Sequence, residues 1–284
     1  MNNRRKTSRE PSAQAPTGSN DFSGDNLGGV DLSWTNFTGS NLTNTNFNGS
    51  NMRGANLKNS TVSGTTFGNA ELAEVRSGGI TGTFATARQY YAMNNGFLLG
   101  PSVNLWNEDL SGLNLTGQNL WSAQLSYTNF AGANLTNANL NAGLTQNTNF
   151  TGANLYRTSF AGTIMTGANF SSTSLATAKF GGMLRSGNLS GTPTMPSGYR
   201  LVAGWVVGPN VSLWQADLSN QNLTGINLTN TSAFQTNFTN TVLNNATVTN
   251  ADLRAIYSNT TGTGIVGNPA KITGGRQIVA GVLS

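Results

Sequence analysis

From Phe22 to Leu72 an apolar residue returns at every fifth position: Phe22, Leu27, Leu32, Phe37, Leu42, Phe47, Met52, Leu57, Val62, Phe67 and Leu72. Each of these centres follows Asn, Asp, Thr or Glu, and the residue two before it is mostly small, as at Ser40, Thr45, Ser50 and Ala55. A second run goes from Leu105 through Leu110, Leu115, Leu120, Leu125, Phe130, Leu135, Leu140, Phe150, Leu155, Phe160, Met165, Phe170 and Leu175 to Phe180, with Thr145 as its polar centre and Leu144 beside it. A third holds Leu213, Leu218, Leu223, Leu228, Ala233, Phe238, Leu243, Val248 and Leu253, with Phe234 one place late. A period of five matches neither the helix, at about 3.6 residues, nor the flat strand, at about 2, so the chain must turn a corner once per period. The predicted elements are short β segments joined by corners, with coils stacked at sheet spacing and the centres and small residues inside.

The interruptions between the runs also repeat. Arg76-Ser77-Gly78 matches Arg185-Ser186-Gly187, and Gly100-Pro101-Ser102-Val103-Asn104-Leu105-Trp106 aligns with Gly208-Pro209-Asn210-Val211-Ser212-Leu213-Trp214. Within the first, Asn94-Asn95-Gly96 lies between Tyr90-Tyr91-Ala92-Met93 and Phe97-Leu98-Leu99. Asn-Gly between apolar runs predicts a hairpin. The second copy places Ala203-Gly204 between Tyr199-Arg200-Leu201-Val202 and Trp205-Val206-Val207, and Arg276-Gln277-Ile278-Val279-Ala280-Gly281 echoes it near the end. Such hairpins are expected to cover exposed coil edges, with the alternative that they and their aromatics form binding surfaces. The organisation is therefore a basic arm (1–20), a first array (21–75), an insert (76–104), a second array (105–184), a second insert (185–212), a third array (213–257) and a partial insert or cap (258–284).

The string Ala133-Asn134-Leu135-Thr136-Asn137-Ala138-Asn139-Leu140, with Ala153-Asn154-Leu155 and Ala251-Asp252-Leu253, resembles the A(D/N)LXX motif of pentapeptide-repeat proteins. The resemblance covers roughly two thirds of the chain. It implies an all-β fold, a right-handed quadrilateral β-helix with four repeats per coil, here interrupted by β-hairpin inserts. Ser or Thr often stands where the motif has Ala, a departure that preserves small volume.

Composition narrows the chemistry. The chain has no Cys and no His, which removes thiol nucleophiles, imidazole bases and the commonest zinc ligands. Many carboxylates, including Asp21, Asp31, Glu71, Asp109, Asp217 and Asp252, stand in the column before a centre, where Asn is usual, and so read as repeat residues. The adjacent pair Glu108-Asp109 has the counterpart Ala216-Asp217, which lacks the first acid. Gly78-Gly79 and Gly274-Gly275 lack the Lys-Ser/Thr ending of a phosphate loop. The expectation is a non-enzymatic protein with no catalytic residues, cofactor or metal.

The net charge is +5, from fifteen basic and ten acidic side chains. Four of those bases and one acid lie in residues 1–20, which leaves eleven bases against nine acids, or +2, for the body. Strongly acidic mimicry of DNA, as used by relatives of this family to occupy a type II topoisomerase, is the weakest expectation for such a body. The arm has no apolar core of a secretory signal, and the apolar stretch Leu201–Val207 is too short to span a bilayer. The favoured reading is a structural part of a larger assembly, with a phage or virus particle (decoration, capsid-associated or tail component) as first choice. Its partners would be other proteins of that assembly or a second copy, and nucleic acid would be reached only through the arm. An intracellular scaffold or adhesin-like binding module is the alternative. The candidate partner contacts are Arg4, Arg5, Lys6 and Arg9 on the arm, and Trp106 and Trp214, which follow equivalent centres and either face outward or pack beneath their hairpins.

Overall fold

A chain that turns every five residues needs a backbone conformation most residues resist. The third turn position supplies it. In most described corners a β-turn closes from the centre carbonyl to the amide three residues on, as from Ser40 N–H to the Phe37 carbonyl (3.0 Å) and from Ala55 N–H to the Met52 carbonyl (2.9 Å). The residue two after the centre commonly has left-handed φ, +68° at Gly39 and +56° at Asn44. That is the requirement of a type II turn, and Gly and Asn tolerate it best. Beside the centre, the polar column before it and the small column two before it, this fourth column makes the corners, and the recurrent Gly and Asn are its signal in the sequence.

The computed structural model describes residues 21–173, 175, 193–254, 260–263, 265–267, 271–272, 278–279 and 282–283. Two compact units emerge, one of Met1–Glu108 with Gln118–Ser126 and the other of Asp109–Gly117 with Tyr127–Ser284. In the first, Asp21, Asn26, Asp31 and Asn36 form parallel bridges to Asn41, Asn46, Asn51 and Asn56. The offset of twenty residues with four bridges per turn makes the right-handed quadrilateral β-helix. In the second, Asn134 bridges Asn114 and Asn154 in the same register, and Asp217 bridges Asn237. Backbone groups are used in both directions. The Leu42 N–H donates to the Thr61 carbonyl (2.8 Å), and the Thr61 N–H donates to the Ser40 carbonyl (2.9 Å).

The column before the centre is polar for two reasons. Its side-chain oxygen accepts the amide two residues on, as Asn36 Oδ1 does from Thr38 (3.1 Å), and so holds the corner. Its amide group also donates to the coil below, from Asn129 Nδ2 to Asp109 Oδ1 (2.9 Å) and from Asn149 Nδ2 to Asn129 Oδ1 (2.9 Å). Inside, the small column sits beside the centres. Its hydroxyls return to main-chain carbonyls, Ser50 to Phe47 in its own corner (2.7 Å) and Thr65 to Leu42 in the coil before (2.6 Å). Among the described residues Ser40 Oγ is the buried side-chain oxygen left without a partner.

The centres Phe37, Leu42, Phe47, Leu57, Leu110, Leu115, Leu120, Leu125, Phe130, Leu135, Leu140, Phe150, Leu155, Phe160, Phe170, Leu218, Leu223, Leu228, Phe238 and Leu253 are buried. Leu27 and Leu32 depart from the inward expectation: they are half-buried, packed against the edge of the core cluster in the first described coil. Thr145 lies inside as a satisfied polar centre, its hydroxyl donating to the Ile164 carbonyl (2.8 Å). At the local distortion in the third array Ala233 is buried, while Phe234 lies partly exposed under the Arg254 guanidinium, 4.7 Å from the ring centroid. The Ala233 N–H still donates to the Asp252 carbonyl (2.8 Å), so the phase is kept.

The inserts form hairpins. Strand β1 (Ala92–Asn94) pairs antiparallel with β2 (Phe97–Leu99), and β3 (Arg200–Val202) pairs antiparallel with β4 (Trp205–Val207). Their two-residue turns, Asn95-Gly96 and Ala203-Gly204, have positive φ at both positions, 47° and 79° in the first and 47° and 82° in the second. Mirror-image turns of this kind suit the twist of the flanking strands. Farther on, β5 (Asp252–Leu253) pairs parallel with β6 (Lys271–Ile272), and β7 (Ile278–Val279) pairs antiparallel with β8 (Val282–Leu283). The first hairpin does pair an edge group, since the Ile80 N–H donates to the Gly96 carbonyl (3.0 Å), and it sends Leu98 into the core. It is an insertion within a coil, however, and not a terminal cover: Asn104 bridges Arg76 on one side and Gln124 on the other.

Candidate functional site

Most carboxylates of the described residues are committed to the scaffold. Asp31 and Asp109 each accept the amide two residues on and an Asn amide from the next coil. Those bonds hold both carboxyls below the usual range, led at Asp31 by the Ser33 amide and at Asp109 by the Ser111 hydroxyl. At Glu71 burial pushes the pKa up, but the Arg88 guanidinium (3.0 Å) and the Ala73 amide outweigh it, and the net shift is downward. Glu74 pairs with Arg53 (2.5 Å), Glu108 with Lys58, and Asp252 with Arg254 (2.6 Å).

A pH profile follows. The folded carboxyls ionise more readily than unfolded ones, so their stabilisation is present above the ordinary carboxylate range and is lost as pH falls through the folded values. The chain has no histidine, so the melting temperature is expected to stay flat from about pH 8 to about pH 5 and to drop below about pH 4. Melting followed by circular dichroism would show this, and Asp31→Asn with Asp109→Asn would flatten the acid limb. A melting temperature unchanged to pH 2 contradicts it.

What remains for recognition is aromatic. Trp106, in the first unit, is 48% exposed, and Trp214, in the second, is 55% exposed. Neither is packed away beneath a hairpin. Their neighbours differ: the place one coil beyond Trp106 is Ser126, whereas beyond Trp214 come Phe234 and then Arg254. Arg4, Arg5, Lys6 and Arg9 lie outside the described residues.

A longer feature runs along one corner of the first unit. The Trp34 N–H donates to the Arg53 carbonyl (2.8 Å), Gly54 N–H to Ala73 (2.9 Å), Glu74 N–H to Ser102 (2.7 Å) and Ser102 N–H to Trp121 (2.8 Å). These residues therefore follow one another coil by coil. Trp34 begins the row, 66% exposed, with its indole laid over Gly54, where an added Cβ would stand 2.3 Å from the ring. Trp121 ends it, 49% exposed, beside a groove of about 240 Å³ lined by Glu71, Arg88, Tyr90, Tyr91 and Ser102 among others. Tyr91 is fixed there. Its ring covers Gly100, its hydroxyl donates to the Pro101 carbonyl (2.7 Å), and burial pushes its pKa up to about 12, so the phenol stays neutral. Tyr199 covers Gly208 in the same way. Trp34, Tyr90 and Trp121 are not among the contacts expected from the sequence. The available signal was a bulky aromatic in a corner position that elsewhere holds Gly or Asn, and, at Trp121, the same place after a centre as Trp106.

No curated protein matches the sequence. Among solved structures the chain is similar to HetL, a pentapeptide repeat protein involved in heterocyst differentiation regulation from the cyanobacterium Nostoc sp. strain PCC 7120, at 20% identity over 86% of this chain and 84% of that one, with a TM-score of 0.26. A trypsin-treated variant of QnrB1, a plasmid-mediated fluoroquinolone resistance protein, is 15% identical over 85% of this chain and 93% of its own, with a TM-score of 0.26. A pentapeptide repeat protein of the Arabidopsis thaliana thylakoid lumen is 25% identical over 52% of this chain and 70% of its own, with a TM-score of 0.21. The family model for pentapeptide repeats matches residues 26–64, 104–141, 146–182 and 222–255, in eight copies. Those segments span just over half of the chain and carry the same centres that fill the coils, so the chain belongs to the pentapeptide-repeat family.

Proposed function

We propose that this chain is a non-enzymatic structural and interaction protein that works as one part of a larger assembly, with a virus or phage particle as the first assembly to test. The observation that carries the reading is the pairing of a committed scaffold with large aromatics exposed on its surface. Carboxylates are held in corner hydrogen bonds and ion pairs, while Trp106, Trp121 and Trp214 stand about half exposed on coils whose backbone groups are hydrogen-bonded. Large aromatics of this kind dominate protein interfaces, because a rigid ring buries much area at little entropic cost. Imitation of DNA, the activity considered for a topoisomerase partner, calls for unpaired negative charge in a dense row, and these acids are scattered and paired.

The test is mass spectrometry of native complexes and particles purified with the full chain. Co-purification in fixed proportion to other subunits is expected, reduced in Trp106→Ala and Trp214→Ala. Removal of residues 1–20 is expected to abolish incorporation while circular dichroism stays unchanged. A chain that always migrates alone would overturn the proposal.

A further inference from the structure

We infer that the corner strip of the first unit, from Trp34 to Trp121, is a binding track for a neutral linear oligosaccharide. The inference is independent of which assembly holds the protein. Four coil steps separate the two tryptophans, and at about 4.8 Å per coil the track is about 19 Å long. Aromatic platforms stand at both ends, and the polar side chains between them are planar ones: Arg53 with Glu74, and Arg88 with Glu71.

Backbone strain marks the same strip. Trp34 has φ +60° and Tyr90 has φ +72°, and Tyr90 is 63% exposed. A bulky residue in left-handed conformation is strained, because its Cβ crowds the following carbonyl oxygen. Most corners elsewhere avoid that strain with Gly or Asn, with Tyr127 (φ +63°) and Arg157 (φ +56°) among the exceptions, and rings as exposed as Trp34 and Tyr90 offset little of it by burial. Positions that break a local rule without a stabilising return are where function is expected.

The charge pattern selects the ligand class. Each guanidinium in the strip has its own carboxylate, so the surface is balanced and offers no row of free cations for a nucleic acid. Added strands are excluded as well, because the main-chain groups of the corner are already bonded from coil to coil. A sugar ring suits what remains. Its C–H face lies flat on an indole or phenol ring, whose body is apolar. Its hydroxyl edge gives and accepts hydrogen bonds, which matches guanidinium donors and carboxylate acceptors standing side by side. A polyproline segment would also use aromatic grooves, but its prolines lack the N–H donors that Glu71 and Glu74 would engage.

Calorimetric titration of the full chain with cellohexaose, chitohexaose and maltohexaose, and with decaproline, tests the assignment. At least one hexasaccharide is expected to bind, with affinity at least about tenfold weaker, or about 1.4 kcal/mol, in Trp34→Ala and in Trp121→Ala. Tyr156→Ala, off the strip, is expected to bind like the parent, and all three variants to keep the parent circular dichroism spectrum. Silence with all three hexasaccharides, binding indifferent to Trp34 and Trp121, or a response to decaproline alone would each overturn it.

Discussion

Replacing Leu135 with aspartate is expected to remove the cooperative melting transition of the second unit. Leu135 is fully buried, its amide donates to the Asn154 carbonyl (2.9 Å) and its carbonyl receives the Thr158 hydroxyl (2.7 Å). A carboxylate introduced there has no cation within the coil to pair with, and a charge buried without a partner costs several kcal/mol at least. It cannot swing outward, because the main chain on both sides of the position is fixed by neighbouring coils. Leu135→Met keeps the volume and is expected to cost less than about 1.5 kcal/mol. Melting of the two variants by circular dichroism checks the contrast. If Leu135→Asp melted like Leu135→Met, the inward direction of this column would be wrong.

Phe150→Ala is expected to destabilise the protein by about 3–5 kcal/mol, the usual cost of emptying a phenylalanine site in a core that cannot collapse. Phe150 stacks on Phe130 (centroids 5.5 Å, interplanar 10°) and on Phe170 (4.9 Å, 9°), and meets Phe160 edge-on (5.6 Å, 88°). Its removal therefore breaks a pile of rings spaced one coil apart. A solenoid adds its stability from nearest-neighbour contacts, so the loss should appear as early melting of the surrounding coils. Chemical denaturation would give the magnitude, and a loss below about 1 kcal/mol would mean that the neighbours close over the gap.

Much of the fold was legible because it repeats. One misassigned position in an ordinary strand changes its reading, whereas here eleven centres from Phe22 to Leu72 hold one phase. Each apolar centre tells the same story about the next. The hairpins were legible for a different reason, since Asn95-Gly96 and its counterpart Ala203-Gly204 sit between apolar runs and take the turn that such a spacing demands. Their place in the stack was not. An insert that begins and ends in register looks the same in sequence whether it closes a stack or bulges from one, and only the bridges of Asn104 to Arg76 and Gln124 distinguish the two.

The candidate surface was legible only in part. Trp106 and Trp214 stood out by their duplicated context, yet the corner strip joins Trp34, Arg53, Glu74, Ser102 and Trp121, and the insert upsets the twenty-residue spacing between Glu74 and Ser102. An alignment by fixed period misses that join. The amino-acid sequence by itself determined the five-residue stride, the inward and outward columns, the two hairpins and the absence of thiol and imidazole chemistry. All of these depend on what a residue is and how far it stands from its nearest repeats. Tertiary structure alone decided which exposed side chains share a corner, which carboxylates are paired, and that Leu27 and Leu32 stay half-covered. Those are properties of neighbours twenty or more residues away, and a coil that absorbs a hairpin shifts every such neighbour while leaving the stride intact.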